Sequence, residues 1–318
     1  MITPLQPIKQ GLDHHTMKEF ILNSLKGALM GAANVIPGVS GGTIAVVTGI
    51  FERLIQAISK FDVAALILLK NREFKKLTKH VDLIFLSAIG TGAFISLISL
   101  ARLFEYLFIS QKTLVWAFFF GLIIASVYVV GKTVQKWNMQ NIIFFISGSL
   151  VAGSMAILTP GTSNESTLYL LLCGAIAMCS MILPGLSGSF VLLLMGNYEL
   201  LINSISRLEL NILIPFGCGA LFGILLFARI LGSVFQNYHD QTISILTGFI
   251  FGSLAILWPW KNEILSNFNS ASGSAEKVIG YTYYLPEIST ETWTALAIIL
   301  IGVFLILWTE SISKKSTN

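Results

Sequence analysis

The chain has little charge. Only 11% of its 318 residues are Asp, Glu, Lys or Arg, against roughly a quarter in soluble domains, so water cannot be the main solvent of its surface. Cysteine is scarce as well. Cys173, Cys179 and Cys218 sit inside apolar segments without metal-ligand spacing and read as small buried hydrophobes. The four histidines fall in terminal or loop segments, with no pair at metal spacing. There is no Asp-rich pyrophosphate motif and no Ser with a nearby His, and the Gly-rich segments lack the Gly-Lys-Ser/Thr ending of a phosphate-binding loop and the soluble strand of a dinucleotide site. Enzyme chemistry, a resident metal and a cofactor are therefore not expected. Nor is a signal peptide, because residues 1–19 hold polar residues, two prolines and two histidines before any apolar run begins.

What is abundant is apolar sequence: 54% of residues are hydrophobic. Stretches long enough to cross hydrocarbon as a helix, which takes about 20 residues, occur at 83–108, 114–130, 142–158, 212–235, 243–258 and 293–308. Two more, 20–58 and 168–205, are interrupted by Pro and Gly and read as helix, break, helix.

Sliding the sequence by 147 residues lays Pro37-Gly38-Val39-Ser40-Gly41 on Pro184-Gly185-Leu186-Ser187-Gly188, and then Gly49 on Gly196 and Glu52 on Glu199. Past a loop of different length the offset becomes 127, where Gly90 and Gly92 meet Gly217 and Gly219, and Arg102 meets Arg229. Phe120-Gly121 is matched to Phe251-Gly252. The chain is thus two homologous units, at 20–160 and 168–310, between a cytoplasmic segment 1–19 and a cytoplasmic tail 311–318. Each unit has one broken segment and three spans. If the broken segment re-enters without crossing, the units are inverted, and thirteen of the twenty basic residues then collect on one side, including Lys60, Lys70, Arg72, Lys75, Lys76 and Lys79 of the loop 59–80. The expectation is an all-α polytopic membrane protein of two inverted repeats, each with a re-entrant broken-helix hairpin and about three transmembrane helices, both termini being cytoplasmic. The basic loop either lies partly helical on the anionic cytoplasmic leaflet or merely enforces topology. Residues 261–291, without a counterpart in the first unit, read as an external loop.

At each break Pro37 or Pro184 stops one helix, and Ser40 or Ser187 is suited to cap the next. Free backbone N–H groups at a half-helix N-terminus carry partial positive charge and suit a phosphate or carboxylate without burying a cation. Such breaks at matching positions of inverted halves point to a midplane site of a secondary transporter. Close helix packing alone explains Gly27 with Gly31, but explains poorly why Pro, Gly, Ser and Gly all recur. The candidate phosphate-binding residues are Pro37, Gly38, Ser40, Gly41, Gly42, Thr43, Pro184, Gly185, Ser187, Gly188 and Ser189, with Arg102 and Arg229 as donors matched to phosphate oxygens. The two arginines alternatively snorkel to the interfaces as anchors. Glu52 and Glu199, about 18 Å beyond the breaks along a continuous helix, are candidates for proton coupling or gating, or are plain interfacial carboxylates.

The segment from Asn34 to Thr43, with its second copy from Ile182 to Ser189, resembles the signature of the polyprenyl-phosphate transporter family, and the resemblance covers about residues 20–310. It implies translocation of undecaprenyl phosphate across the bacterial cytoplasmic membrane, recycling the lipid carrier of cell-wall and surface-glycan synthesis. The second copy departs at Ser189 and Phe190, where the first has Gly42 and Thr43, so the half-sites are expected to bind unequally. Expected partners are the polyprenyl-phosphate lipid, membrane lipids and the anionic cytoplasmic leaflet, and not nucleic acid; a homo-oligomer is left open. A transporter of a small soluble organic anion, a channel and a non-transporting membrane scaffold stay as alternatives.

Overall fold

A computed structural model describes residues 17–34, 40–158, 161–266 and 277–315 of the chain. Among the described residues six helices are long and apolar enough to cross a membrane, each at one of the six expected stretches: α6 (Leu83–Ser110), α7 (Lys112–Gly131), α8 (Met139–Ser154), α12 (Leu210–Asn237), α13 (His239–Leu257) and α14 (Thr290–Lys315). Burial sorts them. In α7 and α13 about two thirds of the apolar window is buried (67% each), against 17–28% in the other four. The two pack against each other at the centre, with Phe119, Ile123, Val130, Ile243 and Ile250 in their shared core. The outer helices keep large apolar side chains such as Phe94, Phe222 and Phe304 on the surface, which suits lipid as solvent.

The first broken segment is α1 (Met17–Asn34), α2 (Gly41–Val47) and α3 (Phe51–Ser59), and the second is α9 (Thr167–Ile182), α10 (Gly188–Leu194) and α11 (Tyr198–Arg207). The stretch beyond each break is not the continuous helix expected from the sequence. α2 meets α3 at 117° and α10 meets α11 at 109°. The cause is a glycine stop: Gly49 (φ +70°) and Gly196 (φ +79°) take the left-handed conformation, and the next amides reach back five residues, Ile50 N to Ala45 O at 2.9 Å and Asn197 N to Leu192 O at 3.2 Å. That is the Schellman ending, which a glycine permits without steric penalty.

Glycines that match in the two halves of the sequence sit at matching helix contacts. A Cβ on Gly27 of α1 would strike Ile89 O of α6, and one on Gly174 of α9 would strike Phe216 O of α12. Likewise Gly92 faces Ser24 as Gly219 faces Leu171. Both seams therefore keep one register, and small residues bring the backbones together. Within the first seam Gly27 lies against Ile89 and, a turn on, Gly31 against Ala93, so α1 and α6 run in the same direction. α9 and α12 do likewise, Gly174 lying against Phe216 and Gly223 against Ala175. The bases of the first hairpin are tied together: Arg53 of α3 donates to Glu19 of α1 at 2.9 Å and to Asp82, ahead of α6, at 2.6 and 3.2 Å, with its guanidinium 4.3 Å from the Phe85 ring.

Two helices cross between the halves of the chain. α8 packs along α13 and α14 along α7. Gly148 meets Ile245 O as Gly302 meets Phe118 O, and Gly248 meets Phe145 O as Gly121 meets Ile299 O. Between α7 and α13 these pairs hold the offset of 127, so Gly121 corresponds to Gly248 rather than to Gly252. The sequence match was one helical turn out of step, an error that leaves the same helix face in register.

The basic loop forms two short helices, α4 (Val63–Lys70) and α5 (Phe74–His80). Asp62 caps α4, accepting from Ala65 N at 2.9 Å. Residues 261–291 do not form a plain loop. They contain an antiparallel hairpin, β1 (Lys261–Ser266) and β2 (Lys277–Tyr283), in which Lys261 pairs with Tyr283. Its period-two sequence from Lys277 to Tyr283 suits a strand. Lys261 is buried, donates to Ile256 O, and places its ammonium 3.6 Å from the Trp116 ring and 4.5 Å from that of Tyr281, which fastens the hairpin to the helices by cation–π contact.

Candidate functional site

The two breaks meet each other. Ser40, at the start of α2, has extended backbone (φ −108°, ψ 132°); its Oγ accepts from Gly42 N at 3.1 Å and donates to Leu183 O at 3.1 Å, 143 positions away. Three residues on, Thr43 Oγ1 accepts from Gly185 N at 2.8 Å. A turn in the second unit is thus gripped at two points by a half-helix of the first. The turn runs from Leu183 to Leu186, with Leu186 N donating to Leu183 O at 3.3 Å. Pro184 follows a residue held extended (Leu183 ψ 125°), and Gly185 has φ +80°. Pro then Gly at the centre, the Gly left-handed, is the signature of a type II turn.

Space enforces the fit. A Cβ on Gly42 would come within 2.5 Å of Ile182 O, and one on Gly185 would collide with the Phe249 backbone of α13. Ser40 and Thr43 are 2% and 0% exposed, and Ala45, Ile50, Ile182, Leu186, Leu246 and Phe249 form apolar core beside them. The first half-helix does not hold its amides free, as the sequence led us to expect. Gly41 N donates to Asn34 Oδ1 at 2.8 Å, Gly42 N to Ser40 Oγ, and Thr43 N to Ser40 O at 3.0 Å. Burial demands these partners, since an unpaired amide in apolar surroundings costs several kcal/mol.

The second half-helix has the same cap geometry and a different setting. Ser187 (φ −106°, ψ 122°) accepts from Phe190 N at a long 3.5 Å, and its Oγ lies 2.9 Å from Ser189 Oγ. Ser189 is exposed and Ser187 half-buried, while Gly188 lies against Ala177 O. Thr43 has Phe190 as its counterpart, which has no hydroxyl to grip anything. The two segments therefore differ in structure: one tip is clasped and buried, and the other presents two hydroxyls.

The remaining candidates are dispersed. Pro37 and Gly38 lie outside the described residues. Arg102 is in α6 and Arg229 in α12, each in the last third of its helix. The Arg229 side chain donates to Phe61 O at 2.7 Å, away from the Ser40–Leu183 contact. Glu52 opens α3 and Glu199 opens α11, both exposed. Glu52 Oε1 lies 3.5 Å from His239 Nε2. Two site residues escaped sequence reasoning: Asn34, whose place as the last residue of α1 was the available signal, and His239, which no local pattern marks.

Residues 30–275 match the family described as undecaprenyl phosphate translocase-like. The chain belongs to this family. It is similar to a polyprenyl-phosphate transporter of Vibrio cholerae, with 35% identity over 93% of this chain and 98% of that protein. It is also similar to a polyprenyl-phosphate transporter of Staphylococcus aureus, with 31% identity over 75% of this chain and 86% of that one. No solved structure matches. The matched span begins before the first tip and ends inside the β-hairpin segment, so it takes in both breaks and the contact between them.

Proposed function

We propose that this chain is a transporter that moves undecaprenyl phosphate between the leaflets of the bacterial cytoplasmic membrane, returning the carrier lipid for cell-wall and surface-glycan synthesis. The observation that carries the reading is the paired tip: Ser40 and Thr43 of one repeat hold Leu183 and Gly185 of the other, while Ser187 and Ser189 face outward. The names of the similar transporters support the lipid over a small soluble anion.

In this proposal the two units are inverted repeats with re-entrant hairpins, and both termini are cytoplasmic. Support comes from helix direction: α6 runs parallel to α1, and the Glu19–Arg53–Asp82 contacts join the starts of both helices, so the intervening chain returns to the end it left. Three spans then separate the first hairpin from the second. The basic loop with α4 and α5 falls on the cytoplasmic side under the positive-inside rule, with Val63, Leu66 and Ile67 exposed beside Lys70 and Arg72, as suits a segment on an anionic leaflet.

The phosphate head is received by the Ser187 and Ser189 hydroxyls and the amides that open α10. Separation of the tips breaks the Ser40–Leu183 and Thr43–Gly185 bonds and releases the Ser40 and Thr43 hydroxyls, beside Gly41 and Gly42, to form the matching half-site facing the other leaflet. The arginines receive the anion on its way, and the prenyl tail stays in lipid. Catalysis has no part in this scheme. The test is reconstitution: liposomes holding the purified protein should flip a polyprenyl phosphate faster than empty ones, and a soluble organic phosphate at equal concentration should not be carried. Transport of the soluble anion alone would replace this reading with the small-anion one.

A further inference from the structure

We propose that His239 is a gating residue, closing the cytoplasmic face of the transport path through its ion pair with Glu52, and that Lys112 with Glu199 is the corresponding gate on the opposite face; this rests on the inverted-repeat transporter reading above. Glu52 begins α3, the arm that leaves the buried tip through the 117° bend at Gly49. His239 begins α13, the central helix of the other repeat. Any movement that separates the tips drags α3 across the corner between α12 and α13, and the Glu52–His239 pair at 3.5 Å spans that corner. Beneath it Phe51 packs on Phe235 at 5.9 Å between ring centroids, and Phe235 packs edge-on against the His239 ring at 5.9 Å.

The imidazole has a carboxylate at each nitrogen. Nε2 faces Glu52 of α3, and Nδ1 lies 3.4 Å from Asp240 Oδ1 of its own helix. From the loop between α7 and α8, Gln135 N and Lys136 N donate to Asp240 at 3.3 and 3.2 Å and hold it in place; α12 contributes the uncharged Phe235 ring. A neutral imidazole has one N–H and can donate to only one of these carboxylates, whereas an imidazolium donates to both. Protonation therefore tightens the latch.

The repeat supplies the second argument. Tyr238 and Gln111, at corresponding corners, share an unusual backbone conformation (φ −138°, ψ 55° and φ −143°, ψ 46°), so His239 and Lys112 open α13 and α7 from the same position. Glu52 and Glu199 likewise open α3 and α11. Each hairpin carboxylate thus has a cationic counterpart in the other repeat, an imidazole on one face and an ammonium on the other. Lysine keeps its charge through neutral pH and histidine does not.

The experiment uses the full chain in liposomes of phosphatidylglycerol and phosphatidylethanolamine carrying a fluorescent polyprenyl phosphate, with its transbilayer rate followed from pH 6 to pH 8. For an exposed pair the expected rise in rate with pH is about two- to fivefold. H239K should be slow and flat across the range, H239Q flat and at the wild-type rate of pH 8, and E52Q should match H239Q. A second measurement avoids the core of the latch: spin labels at Gln56 of α3 and Gln236 of α12, both exposed, with the three cysteines replaced by Ala, should separate as pH rises. Wild-type pH dependence retained in both H239K and H239Q, or a label distance independent of pH, overturns the gate. Absence of lipid movement by wild-type protein at every pH would instead overturn the transport reading beneath it.

Discussion

Thr43 Oγ1 accepts the amide hydrogen of Gly185 at 2.8 Å, joining the starts of two half-helices that lie 142 positions apart. Both groups are buried, so neither has water as a substitute partner. Thr43→Val keeps shape and removes the acceptor. The expected loss is about 1–3 kcal/mol of stability, the usual penalty for a stranded buried donor. Thermal unfolding in detergent should show it, with Thr43→Ser restoring most of the stability.

Glycines offer a matched control. Gly185→Ala must accommodate a side chain at φ +80° against the Phe249 backbone, which carries at least about 1–2 kcal/mol of conformational strain before any clash is counted. Gly90→Ala and Gly217→Ala, at corresponding places on α6 and α12, meet nothing within 4 Å and should raise helix stability by up to about 1 kcal/mol each. Unfolding temperatures of the three variants decide this, and a Gly185→Ala protein as stable as wild type would contradict the turn geometry.

Arg53 holds the hairpin base through Glu19 and Asp82 while half-buried against Phe85. Its removal leaves two carboxylates facing each other. Arg53→Met should destabilise by about 2–4 kcal/mol, more than either Glu19→Gln or Asp82→Asn alone. Protease accessibility of the basic loop, compared among the three, is the readout.

Acidity acts on the cap of α4. The Asp62 carboxyl is held below the ordinary carboxylate range, first by the amide of Ala65 and also by His80, whose Nε2 lies 3.1 Å away. Its folded-state value is depressed, so its contribution is complete above the ordinary carboxylate range and is lost as pH falls through the lowered value. Wild type and Asp62→Asn should therefore differ in thermal stability at neutral pH and converge in strong acid.

Much of the architecture was legible because hydrocarbon imposes a length and a composition on each span, and all six spans stand where the apolar stretches were. The two helix interruptions were legible at Pro-Gly-x-Ser-Gly because a break needs particular residues. The bend at Gly49 was there to be seen, since Gly196 matches it, yet the apolar run hid a helix ending. The one-turn slip between Gly248 and Gly252 arose because both glycines share a helix face. The exchange of α8 and α14 and the pairing of Glu52 with His239 had no local signal: they join residues far apart in sequence. The β-hairpin was masked by the polar sequence between its strands.

The central claim is that the open tip receives the phosphate head. The most direct measurement is the transport rate of polyprenyl phosphate in liposomes by the Ser187→Ala/Ser189→Ala double variant, set beside its unfolding temperature. Ser189 is exposed and Ser187 half-buried with only a long cap bond to Phe190 N, so the expected stability loss is at most about 2 kcal/mol, with at least a tenfold loss of rate. A stable double variant that transports at the wild-type rate would contradict it.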